Sequence, residues 1–190
     1  MDARLPIFLF AGALVVGQPT AGEQQQPPPP PPAKTQTAKP PATLPNADAQ
    51  FLKTVNGDNL AEIECANLAN TKSTNDQVKA LASKLLTDHQ ENQSELQSLA
   101  STKHVTLSSE VPAAKKGVKD RLSKLDGAAF DKAYVAEMIK DHKAAIAAFQ
   151  REAKSTDPDV KAFADKTLPT LKEHLSQAQA IKIAAPTATR

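Results

Sequence analysis

The chain has 190 residues, with 23 Lys and Arg against 21 Asp and Glu and a formal net charge of +2, and the charges are dispersed, so no basic stripe points to nucleic acid. The single cysteine excludes an intramolecular disulfide, and the fold must hold by packing. Glycine is scarce, there is one tyrosine and no tryptophan, and Ala, Leu and Lys dominate the chain after Asn46, a composition that favours helix.

The positive residues before Leu5, the apolar run from Leu5 to Val16 and the small residues Ala21 and Gly22 predict a secretory signal over residues 1–22, with an uncleaved anchor as the alternative. The protein is therefore expected in the periplasm or outside the cell. The run is shorter than the ~20 residues of a comfortable membrane span. Nothing later approaches that length, so the mature chain is expected to lack a transmembrane span. Residues 23–45 are rich in Gln, Pro, Ala and Thr, with unbroken proline from Pro27 to Pro32, and read as a disordered spacer of polyproline II character. A plain tether and a docking site for a proline-binding partner are the two readings of that spacer. Residues 46–185 form one predicted domain, and 186–190 a disordered tail.

Within the domain, KSTNDQVKALASKLL from Lys72 returns 82 residues later (154 − 72) as KSTDPDVKAFADKTL from Lys154, which predicts a duplicated helical hairpin. In each copy KST and a capping Asn75 or Asp157 open a helix, and Pro158 occupies a position that suits proline. Four helical stripes follow. The first spans 48–69 and carries Phe51, Val55, Glu62, Ala66 and Ala69 on one face. The second, over 76–103, carries Val78, Leu81, Leu85, His89, Leu96 and Leu99. The third, over 128–154, turns Tyr134, Met138, His142, Ala145 and Phe149 inward, and the fourth, over 158–184, Val160, Phe163, Thr167, Leu171, His174, Ala178 and Ile181. His104 to Gly127 is too long for a simple antiparallel turn, and Val118, Leu122 and Leu125 suggest a short helix within it. Helices of roughly 26 residues are ~39 Å long, a distance this connection can cross. The expected fold is all-α, a ferritin-like four-helix bundle of two repeated helical hairpins joined by a long crossover, with an up-down-up-down bundle as the alternative.

Each stripe is broken near mid-helix by a polar residue, namely Glu62, His89, His142 or His174. At ~1.5 Å per residue all four fall in the middle third of a bundle with that crossover, roughly 12 to 20 Å above the first turn. One carboxylate and three imidazoles suit a single Zn, Cu or Fe ion. The competing reading is a metal-free polar core that fixes helix register. Asp88, Asp141 and Glu173 each precede one of the histidines, at the border of its stripe, where they can support a neighbouring imidazole or pair with Lys84, Lys140 or Lys172. Cys65, one turn beyond Glu62, is either a soft ligand or a small buried apolar residue. Pro169 removes a hydrogen bond to the Asp165 carbonyl inside the fourth helix, where a bend would help to aim His174. His104 is expected in solvent. No nucleophile elbow, phosphate loop or cysteine-histidine pair stands out, so the reading leans away from an enzyme and leaves the question open.

Phe51 with Glu62, Asp88-His89, Phe130-Asp131 with Tyr134, Asp141-His142, and Leu168-Pro169 with His174 together resemble the bacterial envelope family catalogued as domain of unknown function 4142, grouped with ferritin-like folds. The resemblance runs from Asp48 to about Ile181 and implies that fold and an exported setting. Ferritin-like di-iron sites place glutamate three residues before histidine on two helices. Here those positions hold Leu86 and Leu171, which argues for one ion and against a carboxylate-bridged pair. Two functions stay open: an exported metal-binding bundle for storage, sensing or stress protection, and a structural or interaction module with an envelope protein partner.

Overall fold

The computed structural model describes residues 44–183. The expected signal over 1–22, nearly all of the spacer and the tail at 186–190 lie outside them. Among the described residues there are five helices and no strand: α1 Asn46–Lys72, α2 Asp76–Thr102, α3 Ala113–Ser123, α4 Gly127–Glu152 and α5 Pro158–Ala180. None of them is long and apolar enough to cross a membrane.

The repeated sequence produces repeated turns. Asn75 Oδ1 accepts from the backbone N–H of Gln77 and Val78 at 2.9 and 3.2 Å, and Asp157 Oδ1 from Asp159 and Val160 at 3.0 and 3.1 Å. Ser73 Oγ and Ser155 Oγ accept in turn from the N–H of Asn75 and Asp157. Each cap satisfies donors that the first helical turn leaves free, worth about 1 kcal/mol apiece. α5 ends at Ala180, earlier than its periodicity predicts. Ile181 is extended, and Ile181 and Ile183 lie against the apolar core, which an extended tail achieves because alternate residues share a face.

α1 packs on α2, α4 on α5, α2 on α5, and α1 on α4, while α3 lies against α1 and α4. Two sets of contacts fix the direction of travel. Lys72 reaches the Ser123 carbonyl at 2.6 Å and Asp126 at 2.9 Å, so α4 begins beside the first turn. Ser155 Oγ donates to Asp48 at 2.6 Å and Lys103 pairs with Asp157 at 2.6 Å, so the second turn lies beside the start of α1 and the end of α2. The connection holding α3 returns the chain along the bundle. It lies flush on α1 at Gly57, where a Cβ would meet Pro112 Cγ at 2.6 Å.

The core falls into two apolar clusters. One, near the first turn, includes Ala69, Val78, Leu85, Leu122, Phe130 and Tyr134. The other, near the second, includes Leu52, Val55, Leu96, Phe149, Val160 and Phe163. Each buried aliphatic or aromatic side chain contributes ~1.5–3 kcal/mol. Between the clusters lies a belt of buried polar groups: Asn56, Asn59, Glu62, His89, Gln93, His142, Thr167 and His174.

Candidate metal centre

The four polar residues that interrupt the stripes are all buried, Glu62 and His89 at 6% exposure and His142 and His174 at 1%. The three rings meet across the core with centroids 5.8, 5.6 and 5.2 Å apart. On each ring one nitrogen is already committed. His142 Nδ1 lies 2.9 Å from the Met138 carbonyl, which can only accept, so Nδ1 carries the proton. His174 Nε2 donates to Asp88 Oδ2 at 2.7 Å.

The third assignment follows from a chain of amides. The Ser108 carbonyl accepts from Asn56 Nδ2 at 2.9 Å, leaving Asn56 Oδ1 to accept from Gln93 Nε2 at 2.7 Å. Gln93 Oε1 then accepts from Asn59 Nδ2 at 3.2 Å, and Asn59 Oδ1 from His89 Nδ1 at 2.9 Å. His89 is therefore protonated on Nδ1, and as a neutral ring it turns a bare Nε2 inward.

Three lone pairs, on His89 Nε2, His142 Nε2 and His174 Nδ1, are thus directed at one another, with atoms from all three residues within 4.8 Å. His142 Nε2 and His174 Nδ1 are 3.2 Å apart. Glu62 Oε2 joins from the other side, 2.9 Å from His89 Nε2 and 3.7 Å from His142 Nε2. With the His89 ring neutral, Glu62 Oε2 and His89 Nε2 face each other as two acceptors; a second proton on the ring would turn the contact into a hydrogen-bonded ion pair. Electron-pair donors in such proximity repel unless a cation lies among them. A tetrahedral ion with bonds of about 2.0–2.1 Å separates its ligand atoms by about 3.3 Å. The observed 2.9, 3.2 and 3.7 Å bracket that value; the three imidazoles form a group that could hold a metal ion, with Glu62 beside two of them. Every imidazole also has the outer hydrogen bond that fixes a metal-binding ring.

Charge is confined within the cluster. Burial pushes the Glu62 carboxyl up, but His89 and His142 outweigh it and hold the pKa at about 2. Burial pulls His89 down, yet Glu62 prevails and raises it above its ordinary value. His174 is lowered to about 4 by burial, against its bond to Asp88. Beside Glu62 the His89 ring accepts a proton readily, whereas the His174 ring resists one.

Of the three acids that precede the histidines, only Asp88 holds an imidazole, and it holds His174 on α5, not the His89 that follows it. It also pairs with Lys84 at 3.0 Å. Asp141 is half-buried and pushed to about 6 by burial and then by Glu62; it approaches Lys140 at 4.0 Å and bonds no histidine. Glu173 pairs with Lys84 at 3.6 Å, not with Lys172. Cys65 packs in the first apolar cluster, its thiol pushed up to about 12 by burial, and behaves as a small apolar residue. His104 is exposed, in a left-handed conformation just after the α2 C-cap. α5 runs unbroken through Pro169.

Sequence reasoning missed Asn56, Asn59 and Gln93. Their signal was available: Asn56, Asn59 and Glu62 recur every three residues, filling the gap between Val55 and Glu62, and Gln93 follows His89 by one turn.

A cavity of about 220 Å³ has Glu62, His89 and His174 among its lining residues, and its solvent-facing rim includes Glu91 of α2 and Lys166 of α5. A second, of about 200 Å³, lies under α3 and touches Glu62, Cys65 and Asp141.

A family model described as "Domain of unknown function (DUF4142)" matches residues 33–181. The chain belongs to that family. The DUF4142 match spans the whole described domain up to Ile181, including all four residues of the cluster. Among solved structures, a crystal structure of a DUF305 fragment from Deinococcus radiodurans is similar to this DUF4142 chain, with a TM-score of 0.65 and 14% sequence identity over 72% of this chain and 95% of that one. At that identity the likeness is one of fold. No curated protein matches the chain.

Proposed function

We propose that this protein is an exported, ferritin-like bundle that binds one transition-metal ion, Zn, Cu or Fe, through Glu62, His89, His142 and His174, in storage, sensing or protection against metal or oxidative stress. The observation that carries the reading is the set of three buried imidazoles, each with its outer nitrogen engaged and its inner nitrogen bare and facing the others. The matching turns at Ser73 and Ser155, and the return of the chain through α3, support a bundle of two duplicated hairpins joined by a crossover. Export rests on the leader-like pattern of residues 1–22, and the proline-rich stretch over 23–45 serves as a spacer between that leader and the bundle. A bound ion would supply a fixed positive charge and Lewis acidity; the chain's own residues orient the rings and exclude bulk water.

The test is elemental analysis and calorimetric titration of protein purified without a histidine tag. One ion per chain is expected, with stability raised by ~2.7 kcal/mol at a hundredfold excess over Kd. Affinity should fall as pH drops through the raised pKa of His89, because a ligand imidazole must be neutral. His142→Ala removes the cluster's only donor on α4 and should abolish tight binding.

A second reading has its own support. Glu62 and His89 form a buried pair that one proton can satisfy, and the amide chain from Ser108 to His89 locks α1 against α2. In that case the bundle is a metal-free structural or interaction module of the envelope. Unchanged metal affinity in His142→Ala, or an absence of binding in the parent, would favour it.

A further inference from the structure

The metal-binding reading leaves open how an ion reaches a cluster whose residues are at most 6% exposed. Two cavities touch Glu62, and they differ in charge. The one between α1, α3 and α4 is lined by Glu62, Glu137 and Asp141 with Lys115 and Lys140, an excess of one negative charge. Beside it α3 is tied to α1 by the close approach of Pro112 to Gly57 and the Lys115–Asp58 pair. The other has an exposed rim on α2 and α5. Its acids are Asp58, Glu62, Asp88, Glu91 and Glu95, against Lys84 and Lys166, an excess of three negative charges. Among its lining residues are Glu62 and His89, whose buried inward atoms Oε2 and Nε2 face each other at 2.9 Å and, with the ring neutral, have no donor between them.

The interior wall otherwise offers little to a ligand. Asn92 Nδ2 donates to Thr167 Oγ1, Asn92 Oδ1 accepts from Asn59, and Thr167 Oγ1 donates to the Phe163 carbonyl. Its volume of about 220 Å³ is below the ~300–1,000 Å³ of typical small-molecule pockets, yet at ~30 Å³ each it has room for several waters. Size and charge together suit a partly hydrated cation in transit better than an organic substrate.

We propose that the cleft between α2 and α5 is the entrance through which divalent cations reach Glu62, His89, His142 and His174. The proposal rests on the metal-binding reading. The rim carboxylates Glu91 and Glu95 draw the cation in, and Asp88 stands at the inner lip, its Oδ2 bonded to His174 Nε2. Lys166, paired with Glu95 across the two helices, limits the negative field at the mouth.

Stopped-flow exchange of Zn²⁺ between a chromophoric chelator and the full chain tests the entrance. Thr170 lines the cleft and touches none of the four cluster residues through a hydrogen bond, so Thr170→Phe should act as a plug. It should slow association and dissociation by similar factors and leave Kd nearly unchanged, a signature no ligand loss produces. Ala114→Phe, on the α3 side, should leave both rates as in the parent. If Thr170→Phe folds poorly, Glu91→Gln with Glu95→Gln provides the charge test. Association should fall about tenfold at low salt, and the difference should vanish near 0.5 M salt, where the Debye length is only about 4 Å. Parent-like rates in the cleft variants, or slowing by Ala114→Phe instead, overturn the entrance while leaving the metal site standing. A parent chain that binds none of Zn²⁺, Cu²⁺ and Fe²⁺ overturns both.

Discussion

At the ends of the bundle, Leu52 and Leu85 stabilise the fold by being out of water, and any apolar group of the same shape would serve. In the belt between them the rule reverses. Glu62 and His89 are just as buried, yet burial costs each of them free energy, and what they return depends on hydrogen bonds, charge and an ion. The apolar ends carry stability without chemical specificity, and the belt carries specificity at a cost in stability.

The comparison can be broken from either side. The largest effect should come from the ends: Leu52→Ala and Leu85→Ala should each cost about 2–5 kcal/mol in urea denaturation. Because the two residues lie in separate clusters, their costs should add to within ~0.5 kcal/mol. Clear non-additivity would mean that the belt transmits strain between the ends and does not merely separate them. Next in size, Pro169→Ala should stabilise the metal-free protein by up to ~3 kcal/mol, since it restores a donor for the Asp165 carbonyl. The same change should weaken Zn²⁺ binding if proline helps to aim His174, and parent-like affinity would show that it does not.

The third prediction concerns pH in the metal-free protein, and its signs differ by residue. Glu62, held at about 2 when folded, contributes stability present above its ordinary 4.5 and lost as pH falls toward 2. His174, lowered from 6.5 to about 4, makes the unfolded chain bind a proton first, so stability falls as pH drops through that window. His89, raised above 6.5, contributes stability present below 6.5 and lost as pH rises through its folded value. Asp141, raised from 3.8 to about 6, acts in the opposite sense to His174 and nearly offsets it between pH 4 and 6, so stability should form a plateau there. It should fall above the plateau as His89 loses its proton and below it as Glu62 gains one, with slopes of at most ~1.4 kcal/mol per unit for each group. Leu52→Ala should lower the whole curve without changing its shape, whereas His174→Gln should leave the Asp141 contribution unopposed, so that stability rises as pH falls from 6 to 4.

The ends of the molecule were far more legible in the sequence than the belt. The Lys72 and Lys154 repeats and the stripes from Val78 to Leu85 and from Val160 to Phe163 report helix and burial directly, because apolar spacing of 3.6 has few other causes. The positions of Glu62, His89, His142 and His174 on those stripes follow from the same periodicity. Their hydrogen bonds do not. Asp88 stands at the border of its stripe with a neighbouring imidazole or Lys84 as candidate partners, and helix periodicity does not say which ring; its carboxylate reaches across to His174 on α5. Asn56, Asn59 and Gln93 share that inward periodicity, but the hydrogen bonds that join them to His89 take shape only once α1 and α2 are packed together.

The line of amides from His89 to the Ser108 carbonyl has a direction, because each member gives its hydrogen to the next and keeps its oxygen for the one before. Reversing any one link would force the rest to turn over, and the ring at the far end would exchange its acidic nitrogen for its basic one. Which face of His89 can hold a proton or an ion is thus decided by a peptide oxygen in the segment between α2 and α3, outside the helices that form the cluster. Reshaping that loop would retune the chemistry of the core while every residue lining the metal centre stayed the same.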